Sequence, residues 1–298
     1  MWVSKLPIEN IYIYQGHRVF NPKNNQIQFK GPYGMSVEKH NFMFDEVNKL
    51  QNKQWKISPV YGEHLSKILS NRSFGNDLLV IPAGESTELD GAFSDDDLSL
   101  IKNAVRQGMR LYGTCGSAYW LSKKRIWNDK CSVQPEEMKE IIKTSSMDFF
   151  SGIAVGPLSP YPGQTYSTMF FHEAVQIQTL SGRKVTVLLS GGGTFLSENN
   201  EELDRSVKTL AFYPSEELEK YQKNKSWEKA VISCEYGLGK VILAMVHPGY
   251  GAEDINVEAY SMAFQSRTDR WQEIKDSLSS LEERMNFVGD ILKDFEVD

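Results

Sequence analysis

The 298-residue chain has no apolar run near the roughly 20 residues needed to cross a bilayer, and stretches such as Val241–Val246 fall far short. It also has no Lys/Arg-rich run. Its 33 basic and 39 acidic residues leave a net charge of −6, whereas a nucleic-acid binder shows a basic face, so neither nucleic acid nor membrane is an expected partner. The opening Met1-Trp-Val-Ser-Lys-Leu-Pro7 lacks a basic segment followed by an apolar stretch of about 7–15 residues, and the chain reads as cytoplasmic. Cysteine is scarce: Cys115, Cys131 and Cys234 are odd in number and far apart, which excludes a disulfide framework and a CxxC knuckle. His17, His40, His64 and His172 share no i,i+4 or short-loop pairing, so no metal site is expected, and nothing points to a cofactor. Repeats, low-complexity tracts and Pro/Gly/Ser linkers are absent, which leaves one compact body with an appended tail.

What is there alternates. Ile11–Tyr14 reads as a strand ending at Gln15-Gly16, Ser36–Leu50 as a helix with Ser36 as N-cap, Trp55–Val60 as a strand and Glu63–Leu69 as a short helix. Asp77–Ile81 is a continuous apolar run closed by Pro82-Ala-Gly84, the pattern of a buried parallel strand opening into a tight loop. Ser94-Asp-Asp-Asp97 is a capping box for a helix that ends at Gly108, and Met109–Tyr112 is the next strand. Strands separated by helices predict a parallel sheet with helices on both faces. In the second half, Val175–Leu180 with Lys184–Leu189, and Ala230–Cys234 with Val241–Val246, predict two added β-hairpins.

Cys115 stands between a strand and an apolar helix in Gly113-Thr-Cys-Gly-Ser117. Small neighbours there permit a sharp turn that pushes the thiol out of the sheet, as Gly-x-Ser-x-Gly does for a serine nucleophile. A helix N-terminus stabilises thiolate. The base is His247, which follows an apolar strand at a loop entrance and is followed by Pro248. The backbone N–H groups of Gly116 and Gly84 are the candidate oxyanion hole. Gly191-Gly-Gly193 lacks the Lys-Ser/Thr of a phosphate loop; it reads either as a turn needing positive φ or as a place where a ligand approaches exposed N–H groups. Gln15 and Gly16 face the same crevice as candidate ligand contacts.

The order of strand, glycine loop, Cys elbow and late His-Pro resembles the class I glutamine amidotransferase-like fold. Pro82–Gly84, Gly113–Tyr119, Phe149–Gly152 with Gly156-Pro157, Ser190–Phe195, Gly237–Lys240 and His247-Pro248 resemble, in order, the amino-terminal domain of eukaryotic-type biotin protein ligases. The likeness runs over residues 8–265, with 266–298 beyond it. It implies a flavodoxin-like parallel sheet and Cys-His chemistry on a small amide or related acyl substrate. The glutaminase pattern closes His-x-Glu, but position 249 is Gly, so a third acid falls to Glu253 or Asp254 if the loop folds back. Biotin transfer is not expected, because the sole Gly-Arg, Gly182-Arg183, lies in a hairpin. A regulatory or ligand-binding domain that keeps the pocket without the chemistry is the rival reading.

In the tail, Trp271, Ile274, Leu278, Leu281, Met285, Val288 and Leu292 step by three and four. That spacing fits a helix laid on its own domain or a coiled-coil seam joining two copies in a homodimer.

Overall fold

A computed structural model describes residues 6–21, 26–30, 35–70, 74–84, 86–128, 140–158, 172–198, 203–204, 206–263 and 268–296. Cys131 lies outside them. The first half runs β1 (Asn10–Tyr14), β2 (His17–Asn21), β3 (Gln26–Lys30), α1 (Met35–Leu50), β4 (Lys56–Val60), α2 (Gly62–Leu69), β5 (Asp77–Ile81) and α3 (Ser86–Leu89). It continues with α4 (Asp95–Arg106), β6 (Arg110–Thr114), α5 (Gly116–Leu121), β7 (Ser122–Asn128), β8 (Glu140–Thr144) and β9 (Phe150–Gly156). The second half contains β10 (His172–Thr179), β11 (Lys184–Ser190), β12 (Thr194–Leu196), β13 (Val207–Phe212), α6 (Ser215–Lys220), β14 (Lys229–Tyr236) and β15 (Gly239–Ala244). Helices α7 (Val257–Ala263), α8 (Thr268–Ser277) and α9 (Leu281–Leu292) follow. Among the described residues, no helix is long and apolar enough to cross a membrane.

The main sheet has nine strands in the order β11-β10-β13-β14-β15-β6-β5-β1-β4. Strands β15, β6, β5, β1 and β4 are parallel, and from there to β11 every pairing is antiparallel. The sheet is therefore mixed, not the parallel sheet expected: the two hairpins extend it edge to edge instead of decorating it. The physical cause is connection length. The short turns at Ser181-Gly182 and Gly237-Leu238 return the chain antiparallel, while each parallel step is bridged by a helix.

Alternation sorts the strand side chains onto two faces. Ile11, Ile13, Leu78 and Val80 pack with Val37, Phe44 and Val47 of α1. Tyr14, Leu79 and Ile81 pack with Leu65 and Leu69 of α2 and Ile101 and Val105 of α4. Helix α4 starts where the capping box puts it: Ser94 Oγ accepts the Asp97 N–H and Asp97 returns a bond to the Ser94 N–H. It ends before Gly108, at φ +113°. Ser36 is already inside α1, one residue past its first, so it is not the N-cap.

The tail is two helices. Ser280 and Glu283 form a capping box that starts α9 afresh, which interrupts the stripe read as one continuous seam. Met285, Val288 and Leu292 are buried in the same core as β1 and α1, while Trp271 and Ile274 pack on Leu188 and Ile255. That stripe thus covers the chain's own core. The expected division at 265/266 falls between α7 and α8, and beyond it α9 completes the layer that α1 begins.

One closure matters for the site. The outer edge of β11 curls round to meet the chain after β15, with an antiparallel bridge between Leu188 and His247 and an N–H bond from His247 to the Leu188 carbonyl of 2.8 Å.

Candidate active site

Loops after β1, β5, β6 and β15 lie at the carboxyl edge of the parallel strands, where open α/β sheets bind ligands. Cys115 follows β6 directly and caps α5 with φ 50° and ψ −113°. A non-glycine residue held there carries about 1–3 kcal/mol of strain, which persists only where surrounding contacts impose it. The contacts are visible: the Cys115 N–H bonds the Ala244 carbonyl at 2.7 Å, and the Tyr119 N–H bonds the Cys115 carbonyl at 3.0 Å. The small residues are required by packing. A Cβ on Gly116 would lie 1.6 Å from the Gly84 carbonyl oxygen, and one on Gly113 would lie 2.5 Å from Leu121. Ser117 Oγ donates to the Pro82 carbonyl, tying the elbow to the loop after β5.

The thiol donates to the Ser190 carbonyl at 3.1 Å. Burial pushes Cys115 up to about 12, against an opposing pull from the Gly116 backbone. The expectation that a helix N-terminus would favour thiolate is therefore corrected: α5 has only six residues, and burial outweighs its dipole. His247 is 7% exposed. Burial pushes its imidazole down to about 3, helped by His40 and His172 and opposed by the Ser190 carbonyl. Its ring packs edge-on to Tyr250 at 5.7 Å, and neither ring nitrogen makes a well-formed hydrogen bond. At neutral pH the thiol and the imidazole are both uncharged.

The loop after His247 does fold back, but its acids turn elsewhere. Glu253 pairs with buried Arg284 of α9 at 3.0 Å. Asp254 accepts the Gly251 N–H at 2.9 Å and pairs with Lys39 of α1. Neither carboxylate orients the imidazole, so Glu253 does not stand as the third acid. The reason is that α1 and α9 bring buried or half-buried cations to this loop, and these attract the carboxylates first.

The remaining expected contacts are dispersed. A Cβ on Gly192 would lie 1.9 Å from the Met245 carbonyl, and one on Gly193 the same distance from the Val155 carbonyl. Gly191 adopts φ +70° beneath Trp127. The carbonyls of Gly191, Gly192 and Gly193 accept from Tyr119 Oη, Leu158 N and Tyr213 Oη at 3.2, 2.8 and 3.0 Å. Close backbone packing thus accounts for Gly192 and Gly193, and positive φ for Gly191. The Gln15 amide donates to the Ile13 carbonyl at 3.2 Å, and Gly16, at φ +93°, accepts the Gly62 N–H. Cys234 is buried in β14, and burial raises its thiol as well. Gly182-Arg183 lies in the β10–β11 turn, where Arg183 pairs with Asp290.

Three groups were missed: His40, His172 and the Ser190 carbonyl. His40 Nδ1 faces the Ser36 carbonyl at 2.7 Å and its Nε2 faces Thr114 Oγ1 at 3.0 Å, one residue before Cys115. Burial pushes His40 and His172 each down to about 4. His40 was detectable: Val37, His40, Phe44 and Val47 step by three and four along the buried face of α1. His172 and Ser190 arrive through the curl of the sheet, which no local pattern announces. His64 is exposed on α2. Among the described residues, no three His, Cys, Asp or Glu side chains converge as metal ligands.

A family model described as "Biotin-protein ligase, N terminal" matches residues 25–298. A biotin–protein ligase of Schizosaccharomyces pombe is 26% identical over 180 residues, which is 59% of this chain and 26% of that protein. The chain thus spans about a quarter of that curated relative. Among solved structures, a glutamine amidotransferase aligns over 74% of this chain and 87% of its own, with 15% identity and a TM-score of 0.41. A ThuA-like protein from Bacteroides uniformis aligns over 92% of each chain, with 10% identity and a TM-score of 0.45.

Proposed function

The chain belongs to the biotin-protein ligase N-terminal family, and from that premise we propose an amidotransferase-like domain in which Cys115 attacks a small amide or related acyl substrate, without biotin ligase activity of its own. The observation that carries this reading is the strained backbone of Cys115, φ 50° at a strand-to-helix turn, because such strain is retained where it presents a reacting group.

In the reaction, Sγ forms a bond to the substrate carbonyl carbon while the thiol proton passes to His247. The oxyanion takes the N–H groups of Gly116 and Gly84. The C–N bond then breaks, the amine leaves with the proton from His247, and a thioester remains on Cys115. Water, deprotonated by the same imidazole, releases the acid and restores the thiol. Burial holds the thiol of the unliganded chain in its protonated form at pH 7, so proton transfer waits on the substrate.

A second reading, a domain that binds a small ligand without turning it over, is favoured by the commitment of Glu253 to Arg284 at 3.0 Å, which leaves His247 without a carboxylate behind it. Intact-mass analysis after incubation with a panel of small amides, glutamine included, separates the two. A hydroxylamine-sensitive acyl adduct that disappears in Cys115→Ala is expected. Ammonia release that persists in Cys115→Ala moves the site elsewhere, and calorimetric binding of an amide with no adduct selects the binding domain.

A further inference from the structure

We propose that the Ser190–Gly191 peptide is a two-position element of this site: in one position its carbonyl stoppers Cys115, and in the other the Gly191 N–H becomes an additional oxyanion donor. The inference rests on the nucleophile reading above and adds a catalytic group to it.

The present position opposes catalysis. The Ser190 carbonyl accepts a hydrogen bond from the thiol at 3.1 Å, so an incoming acyl oxygen beside Sγ meets another oxygen rather than a donor. The same carbonyl acts on His247, a residue more than nine-tenths buried, neither of whose ring nitrogens makes a well-formed hydrogen bond. A buried imidazole left unsatisfied is costly, and it points to a ligand or a moved group that completes it.

The backbone permits the second position. Rotating one peptide plane changes ψ of the residue before it and φ of the residue after it, and leaves the flanking side chains in place. Ser190 is the last residue of β11, so no further ladder follows to hold its carbonyl. On the upstream side, the strand is anchored by the Leu188 carbonyl on the His247 N–H. On the downstream side, the carbonyls of Gly191, Gly192 and Gly193 are each held by a bond the rotation does not touch. Gly191 now has φ +70°. A half-turn of the plane takes it to about −110°, a value every residue adopts. The glycine is thus needed for the stoppered position and not for the open one. Once rotated, the plane directs an N–H toward Sγ, and the thiol and the imidazole both lose the Ser190 carbonyl, leaving a His247 nitrogen to take the thiol proton.

The test is a substitution that works in the unexpected direction. In Gly191→Ala, the positive φ is disfavoured, and a Cβ in the stoppered position would lie 2.8 Å from the Trp127 ring. An L-residue held at left-handed φ is disfavoured by a factor of roughly 5 to 30, so the folded variant is expected to alkylate at Cys115 with iodoacetamide about 5- to 30-fold faster than the wild type. An equal or slower rate in a variant with native near-UV circular dichroism overturns the proposal. If the variant fails to fold, the decision passes to a crystal structure of the wild-type chain carbamidomethylated at Cys115. Gly191 is expected there at negative φ with its N–H toward the adduct oxygen; φ still near its present value, with the Ser190 carbonyl toward Sγ, overturns the proposal. Neither readout requires turnover of an amide, so failure to find an acyl-enzyme and failure of the rotation are separate results.

Discussion

Glu253→Gln tests whether this residue is a structural anchor or an acid acting on His247. Arg284 is fully buried, with one firm partner in Glu253 at 3.0 Å, a long contact to the Ser280 carbonyl at 3.5 Å, and Nη1 unpartnered. Glutamine keeps the size of the side chain and removes its charge, so a buried cation loses its main compensation. A hydrogen bond to a charged group contributes about 1.5–3 kcal/mol. The Glu253 side chain is 52% exposed, so solvent screening favours the lower part of that range, about 1.5–2 kcal/mol. At about 2–4 °C per kcal/mol for a chain of this size, Tm falls by about 3–8 °C. Scanning calorimetry measures it. In an Arg284→Met background, Glu253→Gln is expected to be nearly neutral, because the two residues act as one pair. Iodoacetamide labelling of Cys115 is expected to stay within about twofold of wild type throughout, because the Glu253 carboxylate is paired with Arg284 and not with His247. An unchanged Tm together with altered Cys115 reactivity would refute the reasoning and return Glu253 to the role of third acid.

His40, His172 and His247 are held near 4, 4 and 3, below the roughly 6.5 of the unfolded chain. The unfolded state therefore binds more protons between those values, and Tm is expected to decline as pH falls from about 6.5 towards 4, with a shallower decline in His247→Asn; a flat Tm over that range contradicts the burial argument. Gly116→Ala places a Cβ 1.6 Å from the Gly84 carbonyl oxygen, a backbone clash no rotamer relieves. Loss of about 3 kcal/mol or of soluble protein is expected, and native stability in chemical denaturation would show that the elbow has room for a side chain at this position. Truncation after Ser266 removes fully buried Met285 and Phe287, each of the kind whose loss to Ala costs about 2–5 kcal/mol. The shortened chain is expected not to fold, and a soluble truncated chain with cooperative unfolding would mean that α9 is an addition rather than core.

The local elements were legible because their causes are local. The apolar run of β5, the capping box of α4 and the glycine after it each state their structure within a few residues, and small side chains around Cys115 mark the elbow. Even His40 could be read, from its place on the apolar stripe of α1. The tail stripe was read correctly as apolar and helical, but its partner was not in the stripe: Ser280 breaks the helix, and α1 supplies the surface that Met285 and Val288 cover.

The state of the site was a tertiary matter. The sheet curls until Leu188 bridges His247, bringing the Ser190 carbonyl to Cys115 from a strand at the far end of the strand order. Glu253 and Asp254 were rightly placed near the histidine in sequence, yet Arg284 and Lys39 come from helices remote in the chain and attract both carboxylates. Burial likewise belongs to the whole fold, and it makes both Cys115 and His247 neutral against the local signals of helix and neighbour. Sequence by itself determined where the chain turns and which side chains are small enough to turn there, because those are short-range steric demands. Only the folded molecule decided what each polar group meets, because partners and desolvation are set by residues distant in the chain.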